Sequence, residues 1–77
     1  MDIQLADVTI HVDKDVDTNE RSGIEAALRG VDGVVSVRNT AERSHLFLVE
    51  YNPEKTSSQV LLGTVKGKYG NAELVGL

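Results

Sequence analysis

Residues 7–13, which read DVTIHVD, decide the fold because apolar and polar side chains alternate strictly along them. Val8, Ile10 and Val12 fall on one face of an extended chain, and this alternation predicts a half-buried strand. From about Glu20 the period becomes that of an amphipathic helix, with apolar side chains at i, i+3, i+4 and i+7: Ile24, Ala27, Leu28 and Val31. Gly30 and the VDG sequence at 31–33 end this helix.

The rest of the chain repeats this pattern of strands and helices. Further strands are predicted at residues 34–40, 45–51 and 71–75, and a second helix at about 57–68. Val35 and Val37 are expected to point inward from the second strand. Gly63 and Gly67 weaken the second helix, since each costs about 1 kcal/mol relative to alanine. The order βαββαβ predicts one α+β domain over residues 1–77, a ferredoxin-like four-stranded antiparallel sheet with two helices on one face.

Composition limits the classes of function. The chain has 77 residues and a net charge of −4, which argues against nucleic-acid binding through phosphate neutralisation. It has no cysteine, which excludes disulfides, thiolate metal sites and thiol redox chemistry. The sequence shows neither a signal-peptide pattern nor an apolar run of the about 20 residues that a membrane helix needs. We therefore expect a cytoplasmic protein that does not bind membranes.

Four stretches together resemble the heavy-metal-associated (HMA) family, the module of copper chaperones, mercury-binding proteins and the N-terminal regions of metal-pumping ATPases. They are VTIHVD (8–13), VDGVVSV (31–37), VEYNPEKTSSQVL (49–61) and AELV (72–75). In family order these are similar to the first strand, the helix-to-strand turn, the third strand with the start of the second helix, and the last strand. The resemblance runs from about Asp7 to Val75 and implies the ferredoxin-like fold.

The chain departs from the family where soft metals bind. Members carry GMxCxxC between the first strand and first helix, and KDVDTNE (14–20) occupies that place here. In this register Asp15 replaces the methionine, and Asp17 and Glu20 replace the two cysteines. Copper(I) and mercury prefer thiolate sulfur. The resemblance therefore implies a degenerate HMA-like module without soft-metal binding.

The acidic loop itself has four interpretations. Asp17 and Glu20 fit a capping box, in which an N-cap acceptor and a glutamate three residues later satisfy amides at the start of a helix. Asp15, Asp17 and Glu20 could instead bind a hard or borderline divalent metal weakly, with His11 near them. An EF-hand loop fails, because Thr18 stands where glycine is needed and Ile24 where the bidentate glutamate is needed. The fourth interpretation is a surface that docks a basic protein partner.

The predicted third strand offers a second surface. With Phe47, Val49 and Tyr51 facing the helices, Leu46 and Leu48 point to the open sheet face, where they could contact a partner or a second copy of the chain. The family alignment places His45 inward, so we do not expect a metal pair of His11 and His45. Asp17 and Glu20 could in principle do acid–base work, but so small a chain offers little concavity to desolvate them. We expect a non-enzymatic module with no cofactor beyond a weakly bound divalent ion.

Overall fold

A computed structural model describes residues 4–13, 16–39 and 45–75 of the chain. Its elements are β1 (Ala6–Val12), α1 (Thr18–Arg29), β2 (Val34–Arg38), β3 (Leu46–Tyr51), α2 (Ser58–Tyr69) and β4 (Ala72–Val75). The strands form one antiparallel sheet in the order β2-β3-β1-β4. This arrangement confirms the predicted ferredoxin-like fold.

The two faces of the sheet differ in burial, as the alternation in β1 predicts. Val8, Ile10 and Val12 are buried, and so are the residues of β3 that lie on the same face. Apolar side chains of both helices, Ile24 and Leu28 from α1 and Leu61 and Val65 from α2, belong to the same core. The helices therefore cover one face of the sheet, and the other face stays open.

Phe47 is the largest fully buried side chain of the described residues. It lies on β3, one of the two central strands, and its cross-strand partner on β1 is Ile10, which is also fully buried. The predicted inward direction of Phe47, Val49 and Tyr51 is confirmed. The core is thus centred on the β1–β3 pair.

A bulge in β2 overturns one prediction. Val34 pairs with Tyr51, but the next pair along β3 joins Glu50 to Ser36, so Val35 has no partner of its own. The extra residue shifts the alternation, as bulges do. Val37 is buried as expected, whereas Val35 is 58 % exposed and its predicted inward direction is wrong.

The two helices approach each other closely at Gly23 of α1. A β-carbon at this position would collide with the Tyr69 hydroxyl at the last residue of α2. Tyr69 is half-buried and packs against the core. A glycine inside α1 costs helix stability, and its missing side chain leaves room for the Tyr69 hydroxyl.

Candidate functional site

The loop before α1 is anchored by an apolar residue between the acidic ones. Val16 is only 8 % exposed and belongs to the core, while Asp17 beside it is exposed. Charged residues flank Val16 on both sides, so the local sequence pattern does not predict its burial. Its burial holds the end of the loop against the fold and leaves Asp17 at the surface, where α1 begins.

Asp17 is the N-cap of α1, as the capping interpretation predicts. Its Oδ1 accepts a hydrogen bond from the Glu20 backbone N–H at 2.7 Å, and its backbone is extended. Such a bond satisfies one of the amides that a helix start leaves unpaired. One carboxylate oxygen at the predicted metal position therefore has a structural role.

The described residues do not assemble the predicted metal site. No three histidine, aspartate or glutamate side chains among residues 4–13, 16–39 and 45–75 are arranged to hold a metal ion. Asp17 and Glu20 share the first turn of α1, but Asp15 lies outside the described residues. Metal binding by Asp15, Asp17 and Glu20 stays a prediction.

Replacing Asp17 by alanine is expected to lower the free energy of unfolding by about 1 kcal/mol, because the N-cap bond to the Glu20 amide is lost. Asparagine caps helices about as well as aspartate, so Asp17→Asn should stay within a few tenths of a kcal/mol of the parent chain. Urea unfolding of the three proteins measures both differences. An equal loss in both variants would show that the charge of Asp17, not its cap, stabilises the fold.

The open face of the sheet carries exposed apolar side chains near its middle. Cross-strand pairing places Arg38, Leu48, Thr9 and Val75 side by side from β2 to β4. Leu48 is 49 % exposed, as predicted, and Val75 is 38 % exposed. Leu46 lies in the next row opposite His11 and is half-buried. We call Leu46, Leu48 and Val75 the apolar strip.

Acidic side chains border the apolar strip. Asp7 pairs with Glu50 in the row on one side of Leu48, and these two residues line a depression of about 190 Å³ with Leu48 and Arg38. Glu50 accepts a hydrogen bond from the Ser36 hydroxyl at 2.9 Å. On the other side, Glu73 pairs with His11. Three carboxylates and one guanidinium therefore surround the strip within the described face.

The structure brings the rings of His11 and His45 together, although the family alignment predicts that His45 points inward and away from such a pair. Their ring centroids are 5.1 Å apart and their planes are nearly perpendicular. His45 precedes the first residue of β3, so the pleat that directs Phe47 inward does not fix its direction. Nδ1 of His11 also lies 3.6 Å from Oε1 of Glu73.

Comparison with known proteins shows the class of fold. No protein-family model and no curated protein sequence matches the chain. Oxidized MerP from Ralstonia metallidurans CH34 superposes with a TM-score of 0.82 at 22 % identity, covering 92 % of this chain and 97 % of that one. A copper binding domain from HMA7, a P-type ATPase, gives a TM-score of 0.81 at 17 % identity, covering 91 % and 93 %.

A third neighbour belongs to the same fold. The mercury-bound form of MerP, described as the periplasmic protein of the bacterial mercury detoxification system, gives a TM-score of 0.73 at 24 % identity and covers 92 % of this chain and 97 % of that one. The chain therefore has an HMA-like ferredoxin fold. No helix within the described ranges is long and apolar enough to cross a membrane.

Proposed function

We propose that this chain is a small non-enzymatic interaction module with an HMA-like fold, which binds a basic protein partner and does not bind soft metals. This proposal is supported by the register of the HMA resemblance, which puts Asp17 and Glu20 where soft-metal-binding members carry thiol ligands, and by the lack of cysteine in the chain. The cytoplasmic location remains part of this proposal, since a neighbour of the same fold is described as periplasmic.

The observation that carries the proposal is the apolar strip with its acidic border. Leu48 and Val75 offer apolar area in one row of the open face, and Asp7, Glu50 and Glu73 lie in the rows beside it. A partner that covers this face must bring apolar side chains to the strip. Positive charge at its margins would set orientation and association rate more than affinity.

Asp13, where the acidic loop begins, adds to the negative charge of Glu73. Asp13 and Glu73 line a second shallow depression together with Asn71 and Ala72. Asp17, which follows Asp13 in the same loop, is also exposed. Because the net charge of the chain is −4, long-range attraction also favours a basic partner.

A peptide of alternating lysine and leucine residues is a suitable probe of this face. In an amide NMR titration, we expect saturable shifts at Thr9, Leu48 and Val75 that weaken as salt is raised. Leu48→Lys should reduce the affinity at least about tenfold, since it places a buried charge against a basic partner. Val60→Lys is the matched control, because Val60 is 50 % exposed on α2, close to the 49 % of Leu48.

Three outcomes would contradict the proposal. The first is equal binding of a glutamate–leucine peptide, which would remove the charge argument. The second is an equal effect of Leu48→Lys and Val60→Lys, which would point to non-specific adsorption. The third is a set of shifts confined to α1 and α2, which would place the contact on the other face.

Homodimerisation through the same open face is a second candidate, favoured by the exposure of Leu48 and Val75 in one row. It predicts a mass that rises with protein concentration in sedimentation measurements. Leu48→Lys should then restore the monomer mass, and Val60→Lys should leave the dimer intact. A constant monomer mass over the concentration range excludes this candidate and leaves the partner proposal unaffected.

Weak divalent-metal binding through the acidic loop at 13–20 is the alternative function. It is favoured by the position of Asp17 and Glu20, three residues apart in the first turn of α1. Oxygen ligands of this kind suit magnesium, calcium or manganese. The Asp17→Asn, Glu20→Gln double variant keeps an N-cap acceptor and removes both charges, so it tests ligation separately from folding.

A further inference from the structure

The imidazoles of His11 and His45 form a cluster outside the acidic loop. His11 lies on β1, and His45 directly precedes β3, the neighbouring strand. The Val12 N–H donates to the His45 carbonyl at 2.8 Å, and the Asn39 side-chain amide donates to the Leu46 carbonyl at 2.9 Å. The first bond holds the backbone of His45 against β1, and the second ties the next residue to the segment that follows β2.

We propose that His11 and His45 together bind a borderline divalent cation such as zinc, with Glu73 orienting the ring of His11. Imidazole nitrogen suits zinc, copper(II) and nickel. The proposed site shares Glu73 with the acidic border of the apolar strip, but its two ligands are not part of that strip, and it places a metal on nitrogen ligands where the acidic loop would supply only oxygen.

The spacing of the two rings fits a shared ion. Zinc–nitrogen bonds are about 2.0–2.1 Å, and an imidazole centre lies about 1.1 Å behind its nitrogen, so two imidazoles at a tetrahedral angle have centroids about 5 Å apart. The observed separation is 5.1 Å, with an angle of 85° between the planes. The centroid separation is therefore that of two imidazoles that share one tetrahedral ion, with water as the remaining ligands.

Glu73 occupies the place of an orienting carboxylate. Its Oε1 lies 3.6 Å from Nδ1 of His11, a nitrogen that is buried and makes no hydrogen bond to the described residues. The distance is longer than a hydrogen bond. The Glu73 side chain is 72 % exposed, so rotation can shorten it. A protonated Nδ1 directed at Glu73 leaves the Nε2 lone pair of His11 for the metal.

This geometry agrees with the absence of a three-ligand cluster in the described part of the chain. Two side chains supply nitrogen, and the carboxylate of Glu73 contacts the imidazole instead of the ion. Such carboxylate–histidine contacts fix the tautomer and raise the basicity of the ligand. Their loss costs about 10–100-fold in metal affinity in characterised sites.

Zinc titration followed by imidazole nitrogen-15 NMR tests the proposal, because the chain has two histidines and each ring signal can be assigned. We expect both rings to shift together and to saturate at one zinc per chain. His45→Gln should abolish this saturation while leaving the backbone amide spectrum of the folded chain in place. Glu73→Gln should weaken zinc binding about tenfold and shift the metal-free tautomer equilibrium of His11.

The acidic-loop variant separates the two metal sites. Asp17→Asn with Glu20→Gln should leave zinc binding to the imidazoles unchanged. The proposal is overturned if this double variant abolishes the zinc response, if one ring shifts without the other, or if His45→Gln binds zinc as the parent chain does. None of these results bears on binding of the lysine–leucine peptide, which is measured without metal.

Discussion

Replacing Phe47 by alanine is expected to lower the free energy of unfolding by about 3–5 kcal/mol, the range for large-to-small changes at fully buried aromatic positions. Phe47 has no exposed surface and packs at the centre of the β1–β3 pair. A chain of 77 residues has a total stability of about 4–12 kcal/mol. At the lower end of this range, Phe47→Ala removes nearly the whole stability of the chain, and at the upper end it still removes about a third.

Leu48 provides the control for this prediction because it is the next residue on the same strand and lies on the opposite face. It is 49 % exposed, so Leu48→Ala should cost less than about 1 kcal/mol. Urea unfolding followed by circular dichroism measures both values. A larger loss for Leu48→Ala than for Phe47→Ala would show that the strand is placed one residue out of register, with Leu48 rather than Phe47 in the core.

The β1–α1 half of the fold follows from local pattern. Alternation in β1 predicts which face is buried, and the stripe containing Ile24 and Leu28 predicts the inner face of α1. The N-cap at Asp17 is also predictable, because its bond to the Glu20 amide joins residues only three apart. Each of these features depends only on residues that are close to one another in the sequence.

The missed features depend on contacts between distant residues. Alternation predicts that Val35 points into the core, because it contains no signal for the bulge opposite Glu50. His45 lies at a strand start, where the pleat does not yet fix the side chain, and its contact with His11 joins residues from two elements. The burial of Val16 likewise depends on the core that it meets. Sequence pattern alone does not specify such tertiary contacts.

The candidate site likewise combines a feature that local pattern predicts with features that depend on tertiary contacts. Exposure of Leu48 follows from alternation in β3, and it was predicted. The row that joins Leu48 to Val75 through Thr9 requires the pairing of β1 with both β3 and β4. The carboxylates beside this row come from three strands. Their arrangement could not be read before the sheet order was known.

The turn between α1 and β2 gives the second large effect. Gly33→Ala is expected to lower the free energy of unfolding by about 2–4 kcal/mol, combining an unfavourable backbone conformation with a steric clash. Gly33 has a φ of 102°, a backbone conformation that residues with a β-carbon rarely adopt. A β-carbon there would lie 2.7 Å from the β-carbon of Lys55, an atom that cannot swing away because it is attached directly to the backbone.

The contact between Gly33 and Lys55 joins two turns of the fold. A shift of one turn alone should therefore not remove the steric clash that alanine introduces. The Gly33 carbonyl accepts a hydrogen bond from the Asn52 N–H at 2.7 Å, which holds the turn after β3 against the turn before β2. Moving Lys55 outward to admit a methyl group would lengthen this bond. The loss should therefore appear as a lower urea midpoint and as faster amide exchange at Asn52.

Gly63→Ala is the matched control and should have the opposite sign. Gly63 lies inside α2, and a β-carbon there would meet no described atom within 4 Å. Alanine is favoured over glycine in a helix by about 1 kcal/mol, so this variant should be more stable than the parent chain. If Gly33→Ala unfolded at the same urea concentration as the parent, the positive φ and the close approach of Lys55 would both be wrong. Opposite shifts in the two variants would show that the first glycine is required by the turn and that the second only weakens its helix.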